Sequence, residues 1–314
     1  MNSGGFRGRL EAECGRMMRL LLLLGLWFLP GLTARAQQHL LGELKEVPLS
    51  ELSESQVSLL GQKALAIHPD DWHHAETKNF IYHFQHGFIA TPVSVEAEFY
   101  YQFIAKDLQR DTSEWEHKSH IYIFEQPEDW HTFQSSAALE PWTGGIQSNG
   151  ELFIVRNPAY KFKGHSLAHE IAHLVVFRFF GNGVPRWLNE GYAENVALRS
   201  WSSYFRARGY LARPNSTAVG PENYIPLSEL TEMIEYPADV QKVEAFYNES
   251  ERLTRFLEAT DKPAFVQFFG ALAQGNRTET ALDKAYGTRF PSLSALETPF
   301  KPYASKDYDE SDSP

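Results

Sequence analysis

The chain has 314 residues, a formal net charge of −11 and one cysteine. That length supports a sizeable core, in one large domain or two small ones. The acidic balance excludes nucleic acid and anionic membrane surfaces as principal partners, because both require basic patches. A lone cysteine excludes an intrachain disulfide framework.

Residues 1–36 read as an export signal. Arg16 and Arg19 precede an apolar run, Leu20–Leu29, interrupted only by Gly25. Pro30 and Gly31 break the run, and Ala34-Arg35-Ala36 forms an A-x-A cleavage pattern before Gln37. The run is too short to span a bilayer. The expected product is an exported chain, periplasmic or secreted, with no stable membrane insertion. Its leader carries five arginines and two glutamates, a net +3, so its removal takes the charge from −11 to −14. Cys14 lies ahead of the apolar run and leaves with it.

Residues 37–75 read as a lead-in, with a short helix expected within 43–62 and Ser50 as its cap. His68-Pro69-Asp70-Asp71-Trp72-His73-His74 is a polar turn cluster. Its histidines and aspartates offer either a second metal site or a solvated loop, and their spacing fits no structural zinc pattern. Phe80–Phe84 is a β-type run. Apolar residues at helical spacing (Val95, Phe99, Phe103, Ile104, Leu108) predict an amphipathic helix over 94–108. His120–Phe124 is a second strand, followed by the turn Gln126-Pro127-Glu128-Asp129, with a short helix starting over Trp130–Phe133. Strand, helix, strand is the crossover unit of a small mixed sheet. His83, His86, His117, His120 and His131 are scattered and read as half-buried or surface residues. Thr143–Ile146 reads as a flexible loop by composition, and Glu151–Arg156 as a strand.

Residues 165–194 read HSLAHEIAHLVVFRFFGNGVPRWLNEGYAE. Within them His169-Glu170-Ile171-Ala172-His173 is an H-E-x-x-H sequence. Residues four apart share a helix face, so His169 and His173 can offer two imidazoles to one ion, with Glu170 beside them. A reactive zinc site takes three protein ligands and keeps a fourth position open; Glu190 is the natural third. The helix is expected over about 164–180, closed by Gly181 and Gly183, and Pro185 opens the next, over about 185–205. His165 shares the face of His169, as a further ligand or at a cleft rim. Glu190 and Glu194 share a face of the second helix, and Asn189 braces the loop or caps locally.

The stretch 213–224 is a loop by composition. Asp239 can cap a helix to about residue 259, with Phe246, Leu253, Phe256 and Leu257 as its buried stripe. Short helices are expected over 263–273 and 278–286, then a closing segment over 290–303. The remainder, 304–314, is acidic, polar and expected to be disordered.

The run Leu188-Asn189-Glu190-Gly191-Tyr192-Ala193-Glu194 is similar to the W-L-N-E-G-F-A-E run that carries the glutamate ligand in alanyl and leucyl aminopeptidases. With H-E-x-x-H upstream, the segment resembles the gluzincin branch of zinc metallopeptidases, thermolysin more loosely, and the chain overall looks most like the peptidase MA-like domains of bacterial envelope proteins. It departs from the aminopeptidases in two ways: sixteen residues separate His173 from Glu190, slightly fewer than those families use, and no G-A-M-E-N run grips a free amino terminus. A metzincin is excluded, because Phe179 stands where its third histidine would lie. The resemblance implies an α+β, zincin-like (thermolysin-type) domain over 76–303: a small mixed N-terminal sheet, an active-site helix and a mainly helical C-terminal part. It implies Zn2+ held by His169, His173 and Glu190, Glu170 as general base and Glu194 orienting His169. It further implies Tyr247, on a later helix, as donor to an oxyanion, the strand over 151–156 at the sheet edge, and a peptide or protein substrate. The competing expectation is a non-catalytic metal-binding envelope protein that uses the same fold for binding or assembly. Oligomeric state, cleavage specificity and endo- versus exopeptidase action are not legible.

Overall fold

The structure, a computed structural model, describes residues 44–140, 143–156, 164–210, 217–237 and 239–306. The expected signal over 1–36 lies outside the described residues, as does the expected tail from residue 307 on. From Leu44 onward the chain forms one compact unit, so the described part of the lead-in belongs to the same body as the sheet.

The sheet has five strands: β1 (His73–Glu76), β2 (Phe80–Phe84), β3 (Ser119–Phe124), β4 (Gly145–Ser148) and β5 (Glu151–Val155), in the order β1-β2-β3-β5-β4. The three central strands run parallel and the two outer ones antiparallel, so the sheet is small and mixed, as expected. Every residue of β2, β3 and β5 is buried, and period-two alternation sends them to two cores. Phe80, Tyr82, Ile121, Ile123 and Leu152 face the large core beneath α2 (Gly87–Asp107) and α4 (Ser166–Phe180). Tyr122, Phe124, Phe153 and Val155 face a smaller one under α1 (Leu59–Leu65) and α3 (Pro127–Ala137). There Phe153 stacks between Tyr122 and Phe133, centroids 4.6 and 4.9 Å away. Burying such a ring contributes roughly 1.5–3 kcal/mol.

Several elements differ from expectation for identifiable reasons. The first helix is capped by Ser58, whose Oγ accepts the Gly61 N–H at 3.0 Å; Ser50 instead lies in a single 3-10 turn, Leu49–Glu51. Helix α2 starts seven residues early and runs through Pro92, because Ala90 and Val93 are fully buried in the large core and packing overrides propensity. The strand over 151–156 is not at the sheet edge: β5 pairs with β3 on one side and β4 on the other. The edge on that side is β4, which takes in Gly145 and Ile146, the second half of the segment that reads as a flexible loop. Asn149 and Gly150, at φ 50° and 86°, make the two-residue turn that folds β4 back onto β5.

The His68–His74 cluster disperses. His68 pairs with Asp129 at 3.2 Å and His73 with Glu46 at 2.8 Å, while His74 turns onto the sheet. There Nδ1 of His74 lies 2.8 Å from Nδ1 of His83, whose Nε2 lies 2.8 Å from Nδ1 of His120. Against expectation His83 is fully buried and His120 nearly so, and burial lowers the pKa of all three.

The C-terminal part is helical: α5 (Arg186–Arg206), α6 (Leu227–Leu230), α7 (Val240–Thr260), α8 (Lys262–Ala273), α9 (Thr278–Tyr286) and α10 (Leu293–Ala304). Helices α5 and α7 approach closely at Gly191, where a Cβ would sit 2.2 Å from the Ser250 carbonyl oxygen. Tyr192, Asn195 and Arg199, one turn apart along α5, reach a half-buried ion network. Arg199 donates to Asp107 of α2 at 3.0 Å and to Glu258 of α7 at 2.7 Å, and Lys262 of α8 donates to Asp107 at 2.6 Å. No helix among the described residues is long and apolar enough to cross a membrane.

Candidate metal centre

Helix α4 is clamped by its apolar face: Leu167, Ala168, Ile171, Ala172, Leu174 and Val175 are buried against α2 and the sheet. The opposite face carries His169 and His173, one turn apart. At Gly181, with φ 70°, the helix ends. The chain then turns through Gly183, where a Cβ would meet the Ala273 carbonyl oxygen at 2.3 Å, and Pro185 leads into α5. Glu190 enters from the second turn of α5.

Three atoms converge. His169 Nε2 and His173 Nε2 are 3.0 Å apart, and Glu190 Oε2 lies 3.5 and 3.4 Å from them. Tetrahedral coordination with metal–ligand bonds of about 2.0–2.1 Å places ligand atoms roughly 3.3 Å apart. The observed triangle has that size. His169, His173 and Glu190 are the group of metal-ligating side chains that meets this condition among the described residues.

The neighbours fix which atoms face inward. Glu194 Oε2 lies 3.2 Å from Nδ1 of His169, and a carboxylate can only accept, so Nδ1–H of His169 donates and Nε2 keeps its lone pair. Asn189 Oδ1 accepts from Nδ1 of His173 at 3.0 Å, to the same effect. The remaining Glu194 oxygen takes Nε2 of His165 at 2.9 Å, so His165 supports the orienting carboxylate and is not in the triad. Two imine nitrogens and a carboxylate oxygen thus point at one spot. Glu190 Oε2 is buried with no hydrogen-bond partner, an orphan that a divalent cation would satisfy.

The electrostatics agree. Burial alone would lower the pKa of His169, but Glu190 and Glu194 reverse this and push it up to about 10. Burial works against the charged form of His173 too, yet Glu190 leaves its pKa raised. Burial opposes ionisation of Glu190, but the two imidazoles hold its carboxyl well below the usual range. The centre therefore demands positive charge, as a proton or a metal ion.

Glu170 is buried beside the triad. Burial raises its carboxyl pKa, partly offset by His169 and His173, and the backbone N–H of Gln147 in β4 donates to it. The edge strand presses on it: a Cβ at Gly145 would lie 3.0 Å from Glu170 Cγ. A cleft of 230 Å³ opens here, walled by Gly144 and Gly145, by His165 at the start of α4, by His169 and Glu170 of α4, and by Tyr247 of α7. Tyr247 thus reaches the site, although its hydroxyl donates to the Tyr236 oxygen at 3.2 Å. Tyr236 in turn donates to Glu190 Oε1 at 2.6 Å. No sequence pattern marks Tyr236; it comes from the segment between α6 and α7 and reaches Glu190 only through the return of the chain. None of His83, His86, His117, His120 or His131 lines the cleft.

No family model matches the chain, and no curated protein matches it. The fold and site define an α+β protein with a small mixed sheet and a buried two-histidine, one-glutamate cluster on consecutive helices that could bind a metal ion.

Proposed function

We propose that this is an exported zinc-dependent peptidase of gluzincin type, with a thermolysin-like zincin fold. The observation that carries the reading is the triangle of inward-facing atoms, each imidazole held in the tautomer that leaves Nε2 free. Zn2+ is the ion whose preferences match two imidazoles and one carboxylate with an open position. Export rests on the leader pattern of residues 1–36.

His169 Nε2, His173 Nε2 and Glu190 Oε2 would hold Zn2+, which when bound would supply Lewis-acid polarisation of a carbonyl and would lower the pKa of water from about 15.7 to about 7. Glu170 takes the proton of the attacking water on its carboxylate and passes it to the departing amine nitrogen. Glu194 and Asn189 hold the Nδ1–H groups of His169 and His173 and so keep the rings aimed. Tyr247, freed from Tyr236, donates its hydroxyl proton to the developing oxyanion. The peptide lies extended along β4, which, unlike β5, is an edge strand among the described residues.

The deciding experiment is Glu170→Gln, with metal analysis and a peptide library in parallel. The variant is expected to retain one zinc per chain and to lose roughly 10²–10⁴-fold in turnover. A variant that cleaves at the wild-type rate, or a wild-type protein that binds no divalent metal, overturns the reading.

A further inference from the structure

We infer that Tyr236 is a positioning residue for the centre: its hydroxyl holds Glu190 Oε1, leaving Oε2 alone to face the two imidazoles, and its oxygen seats the hydroxyl of Tyr247 at the cleft. The inference rests on the metal-binding half of the function proposed above.

The direction of each bond follows from the chemistry. An ionised carboxylate has no proton to give, so at 2.6 Å the Tyr236 hydroxyl donates to Glu190. That uses its only proton. At the 3.2 Å contact between the two phenols, Tyr247 must therefore donate and Tyr236 accept. The chain Tyr247, Tyr236, Glu190 is thus polarised toward the third ligand. A carboxylate with both oxygens free can swing to bidentate coordination; one with Oε1 tied back cannot.

The ring of Tyr236 is fixed by contacts that do not involve its hydroxyl. It stacks on Tyr247 (centroids 5.8 Å apart, planes at 18°) and meets Phe246 edge-on at 5.9 Å. The guanidinium of Arg186 lies over its face at 4.3 Å. Arg186 Nε also donates to the Ile234 carbonyl at 2.9 Å, tethering the segment that carries Tyr236 to α5 one turn before Glu190. The clamp and its target therefore share one helix. Tyr236→Phe removes the hydroxyl while keeping all of these contacts, so the variant is expected to fold.

The test uses the full mature chain as wild type, Tyr236→Phe and Tyr247→Phe. Zn2+ affinity is measured by competition with a chromophoric chelator, and coordination number by the visible spectrum of the Co2+-loaded proteins. Loss of a group that orients a ligand typically costs roughly 10–100-fold in metal affinity. Tyr236→Phe is expected to show a loss of that order, with a weaker Co2+ visible band as Oε1 swings inward and raises the coordination number. Tyr247→Phe is expected to bind both metals like wild type. Wild-type affinity and spectrum in Tyr236→Phe overturn the inference, as does a wild-type protein that takes up neither ion. If the affinity and spectral changes appear but no peptide is cleaved by any of the three proteins, the positioning role stands and the peptidase reading alone falls.

Discussion

Gly191→Ala isolates the closest approach in the helical half of the molecule. The new Cβ would sit 2.2 Å from the Ser250 carbonyl oxygen, 2.5 Å from its carbon and 2.7 Å from Thr254 Oγ1. Two of these are backbone atoms of α7 and cannot rotate away, so α5 and α7 must part by about 1 Å; overpacking of this kind costs roughly 1–3 kcal/mol. Alanine returns about 1 kcal/mol of helix propensity relative to glycine. The net expectation is a loss of up to about 2 kcal/mol, which for a domain of this size lowers Tm by at most roughly 4–8 °C. Gly270 provides the control. It also lies inside a helix, but a Cβ there meets only Phe180 Cε1, at 4.0 Å. Gly270→Ala therefore keeps the propensity gain without the clash and is expected to raise Tm. Because α7 carries Tyr247, displacing it also moves that hydroxyl relative to Glu190, and misplacement on the order of 1 Å can cost about 10²-fold in turnover. Thermal unfolding of both variants, with turnover of Gly191→Ala, reads out the argument. A Gly191→Ala protein that melts above wild type, as Gly270→Ala should, refutes it.

Two further outcomes follow from the centre. Glu194→Gln removes the charge that accepts from His165 and His169, and should weaken Zn2+ binding roughly ten-fold or more, within the range for orienting carboxylates, in a chelator titration. The metal-free protein should lose stability as pH rises from about 6.5 toward about 10: the folded-state pKa of His169 is raised to about 10, so its contribution is full below the unfolded value and vanishes above the folded one. The depressed carboxyl pKa values of Glu190 and Glu194 act oppositely, adding stability above their ordinary range that is lost on acidification. Urea midpoints at pH 6 and pH 9, with chelator present, should therefore fall at the higher pH, and a midpoint that rises contradicts the assignment.

What the sequence discloses here is local. His169, Glu170 and His173 are grouped by the pitch of one helix and Glu190 and Glu194 by the pitch of the next, but that the two groups meet is an implication of the resemblance to gluzincins and not of helix pitch. The short β-type runs of β2, β3 and β5 are equally local. Strand order is not, and β5 and β4 exchange roles for that reason; the Asn149-Gly150 pair was the local clue, since it suits a turn with positive φ at both positions. The burial of His83 depends on two neighbouring strands, and the hold of Tyr236 on Glu190 spans 46 residues. Neither leaves a periodic trace. The His68–His74 run misleads for the converse reason: neighbours in a strand point to opposite faces, and closeness in sequence scatters them.

The three convergent side chains occupy one helical hairpin between His165 and Glu194, with Glu170, Asn189 and Glu194 beside them, whereas Tyr236, which holds Glu190, and Tyr247 arrive from beyond residue 206. Grip on the ion is therefore written in two separate stretches of the gene product, and a change in either reaches the centre. A descendant altered only at Tyr236 would keep all three ligands and still hold its ion less tightly.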